Sequence, residues 1–346
     1  MIHQITKWLA LIGLAFFISS CSEPSTKKQL VVLQGETMGT YYRVSFVVDE
    51  LLQQSARYSQ VELQTEIDKK LELVNDQMST YRPNSELSKF NQATKSLTVS
   101  PETVYVVQAS LQLFDLSGGA FDVTVGPLVN LWGFGPDKKP TKIPSDELIK
   151  ARQKIIGSQY LSISGNTLYK AIPELYVDLS SIAKGYGVDV VATYLQEIGI
   201  NNYLVDIGGE LRAKGVKPES KQWTLAIETP TEGQNVQRLI QIGDNAIATS
   251  GDYRNYYEFD GIRYSHTIDP STGKPINHHL ASVTVIHESS MMADGLATVI
   301  TVLGPEDGLV FAQQNKLAAF LIVKQGDIFT EYFTDEFKPY LLEEHK

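Results

Sequence analysis

The sequence predicts an α+β fold of mixed, largely antiparallel sheets with packed helices. Segments with strand-like and helix-like hydrophobic spacing follow one another without the regular strand–helix–strand alternation of a doubly wound fold. The chain also contains neither a Walker loop nor a G-x-G-x-x-G fingerprint. The common nucleotide-binding folds therefore find no support.

Length, composition and charge limit the classes of protein to be considered. The chain has 346 residues, of which 42% are hydrophobic and 20% charged, and its formal net charge is −10. This is enough for one large domain or two ordinary ones. Nucleic acid is an unsuitable partner, because phosphate backbones are bound by basic surfaces. A nucleotide ligand stays open, since a metal ion and a few N–H groups can hold a diphosphate in an acidic protein.

The N-terminus has the pattern of an export signal. The apolar run 8–17 is too short to span a membrane and fits a secretory signal peptide. It ends just before Cys21, the only cysteine, which excludes an internal disulfide. Small residues followed by Cys resemble a bacterial lipoprotein signal, although an ordinary signal peptide with an incidental Cys is the alternative. We predict a signal peptide at 1–20, a lipidated Cys21 with a flexible tether to residue 29, and one folded domain at 30–346.

The first half of this domain predicts two strands and two helices. Strand-like segments at 30–33 and 41–48 flank a turn with two glycines. A capping box at 59–62 starts a helix whose apolar residues run to Met78. Ser100-Pro101 starts a second helix, ended by Gly118-Gly119, with one apolar face made of Val104, Val107, Leu111 and Phe114.

The second half alternates strands with helices. We predict strands at 176–179, 203–207, 223–228, 246–249 and 280–287, and a third helix with Val188, Val191 and Leu195 on one face. Residues 264–276 read as a polar loop. A helix capped by Ser289 or Ser290 runs to Leu303, where Gly304-Pro305 stops it. A helix at 309–314 and a hairpin of 318–323 with 328–333 complete the chain.

Asp294 and Thr298 are the first candidate site. They are four residues apart near the start of a predicted helix, so they share one face. A carboxylate and a hydroxyl in that position suit a hard cation such as Mg²⁺ carrying phosphate oxygens. The alternative is an Asp favoured by the helix dipole and a Thr bonded to its own backbone.

Three further sites have residues suited to binding or proton transfer. His266, in a polar loop, is a candidate base, or simply a surface histidine. Asp178 and Lys184 flank a helix start, where they would hold a sugar hydroxyl and a diphosphate, or act as an N-cap and a surface lysine. Tyr81 is suited to stacking on an aromatic ring or to the edge of the core. Without a Cys cluster or an H-E-x-x-H motif, a zinc site has no support.

Taken in order, these segments resemble a known family, the FAD:protein FMN transferases or ApbE family. The resemblance covers nearly all of the chain after the tether. Its motifs are GETMGTY at 35–41, MSTYRPNSELSKFN at 78–91, GAFDVTVGPL at 119–128, VDLSSIAKGY at 177–186, DIGGE at 206–210, ATSGDY at 248–253, HTIDPSTG at 266–273 and ADGLAT at 293–298.

The resemblance implies a T-fold-like core with FAD in an extended pocket and Mg²⁺ on its diphosphate. Carried over motif by motif, it implies that FAD is bound by Met38, Tyr81, Ala120, Phe121, Asp122, Asp178, Lys184 and the backbone at Ile268. Asp294, Thr298 and the Ser181 position, through its carbonyl, would bind Mg²⁺. The Ser180-Ser181 pair is often Gly-Gly in the family, which a backbone ligand tolerates.

The activity implied is transfer of FMN from FAD to a threonine hydroxyl of a partner protein, with release of AMP and His266 as candidate base. The acceptors would be exported or membrane-bound electron-transfer flavoproteins, and the enzyme would be lipid-anchored at the inner membrane, facing the periplasm. Two alternatives stay open at this point: an FAD diphosphatase that releases FMN and AMP, and a flavin-binding lipoprotein without turnover.

Overall fold

A computed structural model describes residues 28–48, 59–136, 142–231, 235–251, 256–259, 261–326 and 328–342. The predicted signal peptide, Cys21 and the tether as far as residue 27 lie outside these ranges, as do the last two residues of the ATSGDY motif. The first strand begins at Gln29, one residue before the predicted start of the domain.

The described part of the chain contains seven α-helices and seventeen strands, besides three short 3₁₀ helices. The helices are α1 (Gln60–Met78), α2 (Glu86–Gln92), α3 (Pro101–Leu116), α4 (Gly126–Leu131), α5 (Asp146–Gln153), α6 (Ala183–Glu197) and α7 (Ser290–Gln314). The strands are β1 (Gln29–Thr37), β2 (Thr40–Val48), β3 (Ser96–Thr98), β4 (Leu161–Ser164), β5 (Thr167–Lys170), β6 (Tyr203–Ile207), β7 (Glu210–Lys214), β8 (Thr224–Glu228), β9 (Val236–Gln241), β10 (Ala246–Gly251), β11 (Tyr256–Phe259), β12 (Ile262–Ser265), β13 (Ile268–Asp269), β14 (Lys274–Pro275), β15 (Leu280–His287), β16 (Ala318–Gln325) and β17 (Ile328–Phe333).

One antiparallel sheet organises the fold. Its eight strands run in the order β1-β2-β6-β7-β10-β15-β16-β17, and every neighbouring pair is antiparallel. Short strands form four smaller sheets, β3-β5-β4, β8-β9, β11-β12 and β13-β14. The predicted class, α+β with largely antiparallel sheet, is confirmed.

Helix α7 is the central helix of the core. It packs on β10, β15 and α6, and most of its residues are buried. By length and composition alone it could cross a membrane, but its burial among these elements marks it as the core helix of a folded domain. Its regular conformation is interrupted at Gly304 (φ 83°, ψ −174°), which is the predicted stop. The chain then resumes as a second helical segment that includes the predicted helix at 309–314.

Several predicted elements differ from the structure. Residues 176–179 are extended but belong to no strand, because Asp178 N–H donates to Val123 O of a loop rather than to a sheet. The polar loop 264–276 contains β13 and β14, and α2 was not predicted. Helix α3 buries Val107 of the predicted face and packs Val104 and Leu111 against the core, but its buried residues also include Val106, Leu113, Thr103 and Ser110. Those two hydroxyls are hydrogen-bonded internally, which lets polar residues occupy a buried face.

Candidate active site

A cavity of about 660 Å³ lies between the large sheet, the starts of α6 and α7, and the β8–β9 hairpin. It brings together nearly every residue predicted for the site. Its walls include Tyr81, Ala120, Phe121, Asp122, Asp178, Ser181, Lys184, His266, Ile268, Asp294 and Thr298. These residues come from five separate segments, so their convergence is a property of the fold and not of any one motif.

Met38 is the exception. It lies in the tight turn between β1 and β2 with a positive φ of 50°, and its side chain packs against the core near Gly187. A flexible thioether fills such gaps between core clusters well. The structure therefore does not place Met38 with the residues that line the cavity.

Asp294 and Thr298 both face the cavity from the first turns of α7. Asp294 is 5% exposed and accepts one hydrogen bond, from Gly185 N–H at 3.0 Å. Burial raises its pKa, while Lys184 and the Gly185 bond oppose that shift. Thr301 bonds back to Ala297 O at 2.8 Å, whereas within the described residues the Thr298 hydroxyl has no hydrogen-bond partner. The alternative of a threonine bonded to its own backbone is thus not what the structure shows.

A glycine sets how closely α6 approaches α7. A Cβ at Gly185 would lie 2.3 Å from Ser290 O, so any side chain there would push the two helices apart. The same residue donates its N–H to Asp294. The position of the Asp294 carboxylate relative to Lys184 therefore depends on a backbone-to-backbone contact.

Lys184 is paired with Glu210, an acid for which no local sequence pattern predicts a role. Its Nζ lies 2.6 Å from Glu210 Oε1, at the start of β7. Burial acts to lower the Lys184 pKa, but Asp294 and Glu210 outweigh it and raise the pKa, so the lysine stays charged. Burial raises the pKa of Glu210 to about 8, with Lys184 opposing. The second oxygen of Glu210, Oε2, is buried without a hydrogen-bond partner in the described part of the chain.

This charge balance fits a bound cation. The Lys184 ammonium lies beside the acids Glu210 and Asp294, and burial raises the pKa of both because their negative charge is incompletely compensated. The described residues hold no cluster of three or more His, Cys, Asp or Glu side chains that suits a metal. A cation would instead use the Asp294 carboxylate, the Thr298 hydroxyl and the Ser181 position. Oxygen donors of this kind suit Mg²⁺.

Two further acids at the cavity, Asp122 and Asp178, differ from each other. Asp122 Oδ1 accepts three hydrogen bonds, from Thr124 N–H (2.8 Å), Thr124 Oγ1 (2.7 Å) and Ser158 Oγ (2.7 Å). Its carboxylate therefore shapes the loop, and the segment 120–122 lines the cavity as predicted. Asp178 accepts from Ser180 N–H at 2.9 Å, and burial raises its pKa while hydrogen bonding from Ser180 opposes that shift.

Aromatic rings form one side of the cavity. Tyr81 is 66% exposed, and its hydroxyl donates to Phe134 O at 3.4 Å. Phe134 stacks on Tyr257 at 5.1 Å and meets the half-buried His266 ring edge-on at 6.4 Å. The exposed Tyr81 ring suits stacking on a planar group, and His266 lies within the same wall.

Asp189 lies on α6, outside this cavity. Its carboxylate accepts from Arg212 Nη1 (2.6 Å), Ser289 Oγ (2.7 Å), Ser290 N–H (3.1 Å) and Met291 N–H (3.0 Å). One side chain thereby ties the start of α7 to α6 and β7. No pattern in the sequence indicated this role, because its partners lie 23 to 102 residues away.

The ApbE family model matches residues 38–321 of the chain. The chain belongs to the ApbE family. A Vibrio cholerae relative named FAD:protein FMN transferase is 53% identical over 337 residues, covering 96% of this chain and 98% of the relative. A Haemophilus influenzae relative of the same name is 43% identical over 344 residues, covering 97% of each.

Solved structures agree with this assignment. The structure named Flavin Transferase ApbE from Vibrio cholerae matches with a TM-score of 0.84 at 53% identity, covering 91% of this chain and all of that one. The apo form of Pseudomonas stutzeri flavinyl transferase ApbE matches with a TM-score of 0.82 at 42% identity, covering 90% and 96%. The predicted family, fold and enzyme class, a transferase, are confirmed. The roles of individual residues and the lipid anchor stay predictions.

Proposed function

We propose that this member of the ApbE family transfers FMN from FAD to a threonine hydroxyl of an acceptor flavoprotein, with Mg²⁺ as cofactor and AMP as leaving group. The observation that carries the proposal is the single cavity that combines Asp294, Thr298, the Lys184–Glu210 pair and an exposed tyrosine. The names of the relatives, FAD:protein FMN transferase, support it independently.

The polar residues suit the diphosphate of FAD. Asp294, Thr298 and the Ser181 position would hold Mg²⁺, which when bound neutralises the diphosphate and stabilises charge on phosphoryl oxygens. Lys184 adds a fixed positive charge in the same cavity, kept ionised by its acidic neighbours. Tyr81 would stack on a ring of FAD, with 120–122, Asp178 and the backbone at Ile268 along the rest of the ligand.

The chain must also remove a proton from the attacking hydroxyl. The threonine oxygen bonds to the FMN-side phosphorus, the phosphorus–oxygen bond to AMP breaks, and the hydroxyl proton passes to a base. His266 is our candidate base. Glu210 is the rival, because it has a buried carboxylate oxygen without a partner in the described chain and a pKa of about 8.

The proposed location follows from the N-terminus. Cleavage before Cys21 and lipidation of that residue would anchor the enzyme at the inner membrane, facing the periplasm. Its acceptors would then be exported or membrane-bound electron-transfer flavoproteins. Replacement of Cys21 by Ser should release the protein from the membrane fraction, and an unchanged distribution would contradict the anchor.

Intact mass spectrometry of an acceptor tests the proposed reaction. The soluble part from residue 22 is incubated with FAD, Mg²⁺ and an acceptor domain that contains a threonine. We expect a Mg²⁺-dependent gain of one FMN on the acceptor and an equal amount of AMP. Free FMN and AMP with an unmodified acceptor would indicate an FAD diphosphatase, and intact bound FAD would indicate a carrier.

Substitution of His266 by Asn tests the candidate base. The rate of transfer should fall by roughly 100-fold or more, the usual contribution of general base catalysis. The part of the pH dependence of this rate that comes from His266 should disappear. Glu210→Gln is the matched variant. If it removes the pH dependence while His266→Asn does not, Glu210 is the base.

A further inference from the structure

We propose that the acceptor protein presents its threonine in an extended segment that adds as a strand to the open edge of β8. The inference rests on the proposed function, since it concerns how the protein substrate of that reaction docks. Extended peptides commonly bind to exposed sheet edges, where main-chain hydrogen bonds supply affinity and alternate side chains enter pockets.

Strand β8 lies along the active-site cavity. It pairs with β9 alone in the described part of the chain, as a hairpin outside the large sheet. Four consecutive residues, 225–228, line the same cavity as Lys184 and Asp294. An edge that lines a cavity over consecutive residues would guide an incoming chain directly to the reacting groups.

The hydrogen-bonding direction of β8 follows from its partner strand. Leu239 of β9 uses its carbonyl to accept from Leu342 N–H, on the side away from β8. Its cross-strand partner is Ala226, so these two residues form a non-hydrogen-bonded pair. The N–H and C=O of Ala226 therefore point away from β9. No partner for them occurs among the described residues.

Side chains leave this edge accessible. Ile227 is turned into the core, whereas Ala226 is exposed and carries only a methyl group. A strand paired with Ala226 would have side chains alternating above and below the hairpin. One of these side chains, the acceptor threonine, would enter the cavity. The identity of the acceptor residues on either side of it would matter little, because the contact with β8 is made by main-chain atoms.

A proline at this position tests the inference. Ala226→Pro removes the outward N–H without removing a β8–β9 hydrogen bond, and prolines are tolerated on edge strands. We expect the KM for the acceptor to rise roughly tenfold or more, because a backbone hydrogen bond is lost and the edge is obstructed. The KM for FAD, measured in the same assay, should change much less.

Thr224→Pro is the matched control. Thr224 points the same way as Ala226, two residues earlier on β8, but does not line the cavity. We expect near wild-type acceptor kinetics from it. An equal loss in both variants would show distortion of the hairpin instead of lost pairing. An unchanged acceptor KM in Ala226→Pro, or a matching rise in its FAD KM, would overturn the inference.

Threonine peptides provide a second measurement that needs no variant. A peptide spanning the acceptor threonine is compared with versions N-methylated at successive residues. Edge pairing predicts that methylation weakens binding at alternate positions only, whereas uniform or absent effects would contradict it. Wild-type enzyme that modifies no acceptor at all would instead refute the proposed function, and the docking inference with it.

Discussion

Two carboxylates on the neighbouring helices α6 and α7 have opposite environments. Asp189 accepts hydrogen bonds from four donors on two other elements, and its oxygens are saturated. Asp294 is more deeply buried and accepts one. Because a buried carboxylate needs compensation, the difference separates an acid whose oxygens are saturated by protein donors from one that has a single protein donor and capacity left for a ligand.

The same contrast recurs on the far wall of the cavity. Asp122 accepts three hydrogen bonds from Thr124 and Ser158, whereas among the described residues the donor to Asp178 is Ser180 alone. Burial raises the pKa of Asp178 and of Asp294. The number of hydrogen-bond donors around a buried acid thus distinguishes acids that hold the fold from acids suited to binding.

The strongest test of this contrast is Asp294→Ala. We expect Mg²⁺-dependent turnover to fall by more than about 100-fold, since even groups that only support metal ligands contribute 10–100-fold. Thermal unfolding of the metal-free variant should match or exceed wild type, because an under-compensated buried charge is removed. Full activity would refute the metal assignment, and a large loss of stability would place Asp294 with Asp189.

Asp189→Ala should affect stability more, and activity less, than Asp294→Ala does. It leaves the Arg212 charge and three donors at the start of α7 without their acceptor, so we expect a loss of about 3 kcal/mol in the free energy of unfolding. Chemical denaturation measures this directly. Activity in the remaining folded protein should fall less than in Asp294→Ala. Asp189→Asn, which keeps the shape, should lose less stability than Asp189→Ala; an equal loss would contradict the hydrogen-bonding account.

The pH dependence of stability provides a test of intermediate size. Burial raises the Glu210 pKa from 4.5 to about 8, so the folded metal-free protein binds a proton more tightly than the unfolded chain. The stability from this group is present below the unfolded pKa and is lost as pH rises through about 8. We expect the Tm of the metal-free protein to fall as the pH rises from 4.5 to about 8, and to fall less steeply when Mg²⁺ is saturating. Glu210→Gln should flatten the fall, and an unchanged slope would contradict this origin.

Tyr81→Ala should have the smallest effect. Stacking of a base on an aromatic side chain contributes about 1–3 kcal/mol, and Tyr81 is largely exposed, so we expect a rise of roughly fivefold to tenfold in the KM for FAD. Tyr81→Phe keeps the ring and should stay near wild type. Equal losses in both variants would assign the effect to the hydroxyl and its bond to Phe134.

Much of the fold was predictable because its elements have local signals. The capping box fixed the start of α1, and Ser59 does accept from Glu62 N–H. Strand β15 and the stop at Gly304 were also predicted correctly. The buried face of α3 was predicted only in part. Val107 is buried as expected, but internal hydrogen bonds also allow Thr103 and Ser110 into the core, and hydrophobic spacing carries no information on such bonds.

The site was predictable where motifs carried it and not where tertiary contacts did. Eleven of the predicted residues line one cavity, and Met38 does not. Glu210 belongs to the DIGGE motif, but its role was not predictable, since its pairing with Lys184 joins β7 to α6 across the fold. Asp189 had no local signal at all.

Gly185 should make the spacing of the charged groups in the site insensitive to substitutions elsewhere in the cavity. Lys184 and Asp294 are the main positive and negative groups of the site. Their spacing is set where the Cα of Gly185, which carries no side chain, meets the carbonyl oxygen of Ser290. Side chains around the cavity can therefore be varied to alter substrate preference without disturbing that spacing. An engineered library that keeps this one glycine and diversifies the walls should retain far more active members than one that varies residue 185.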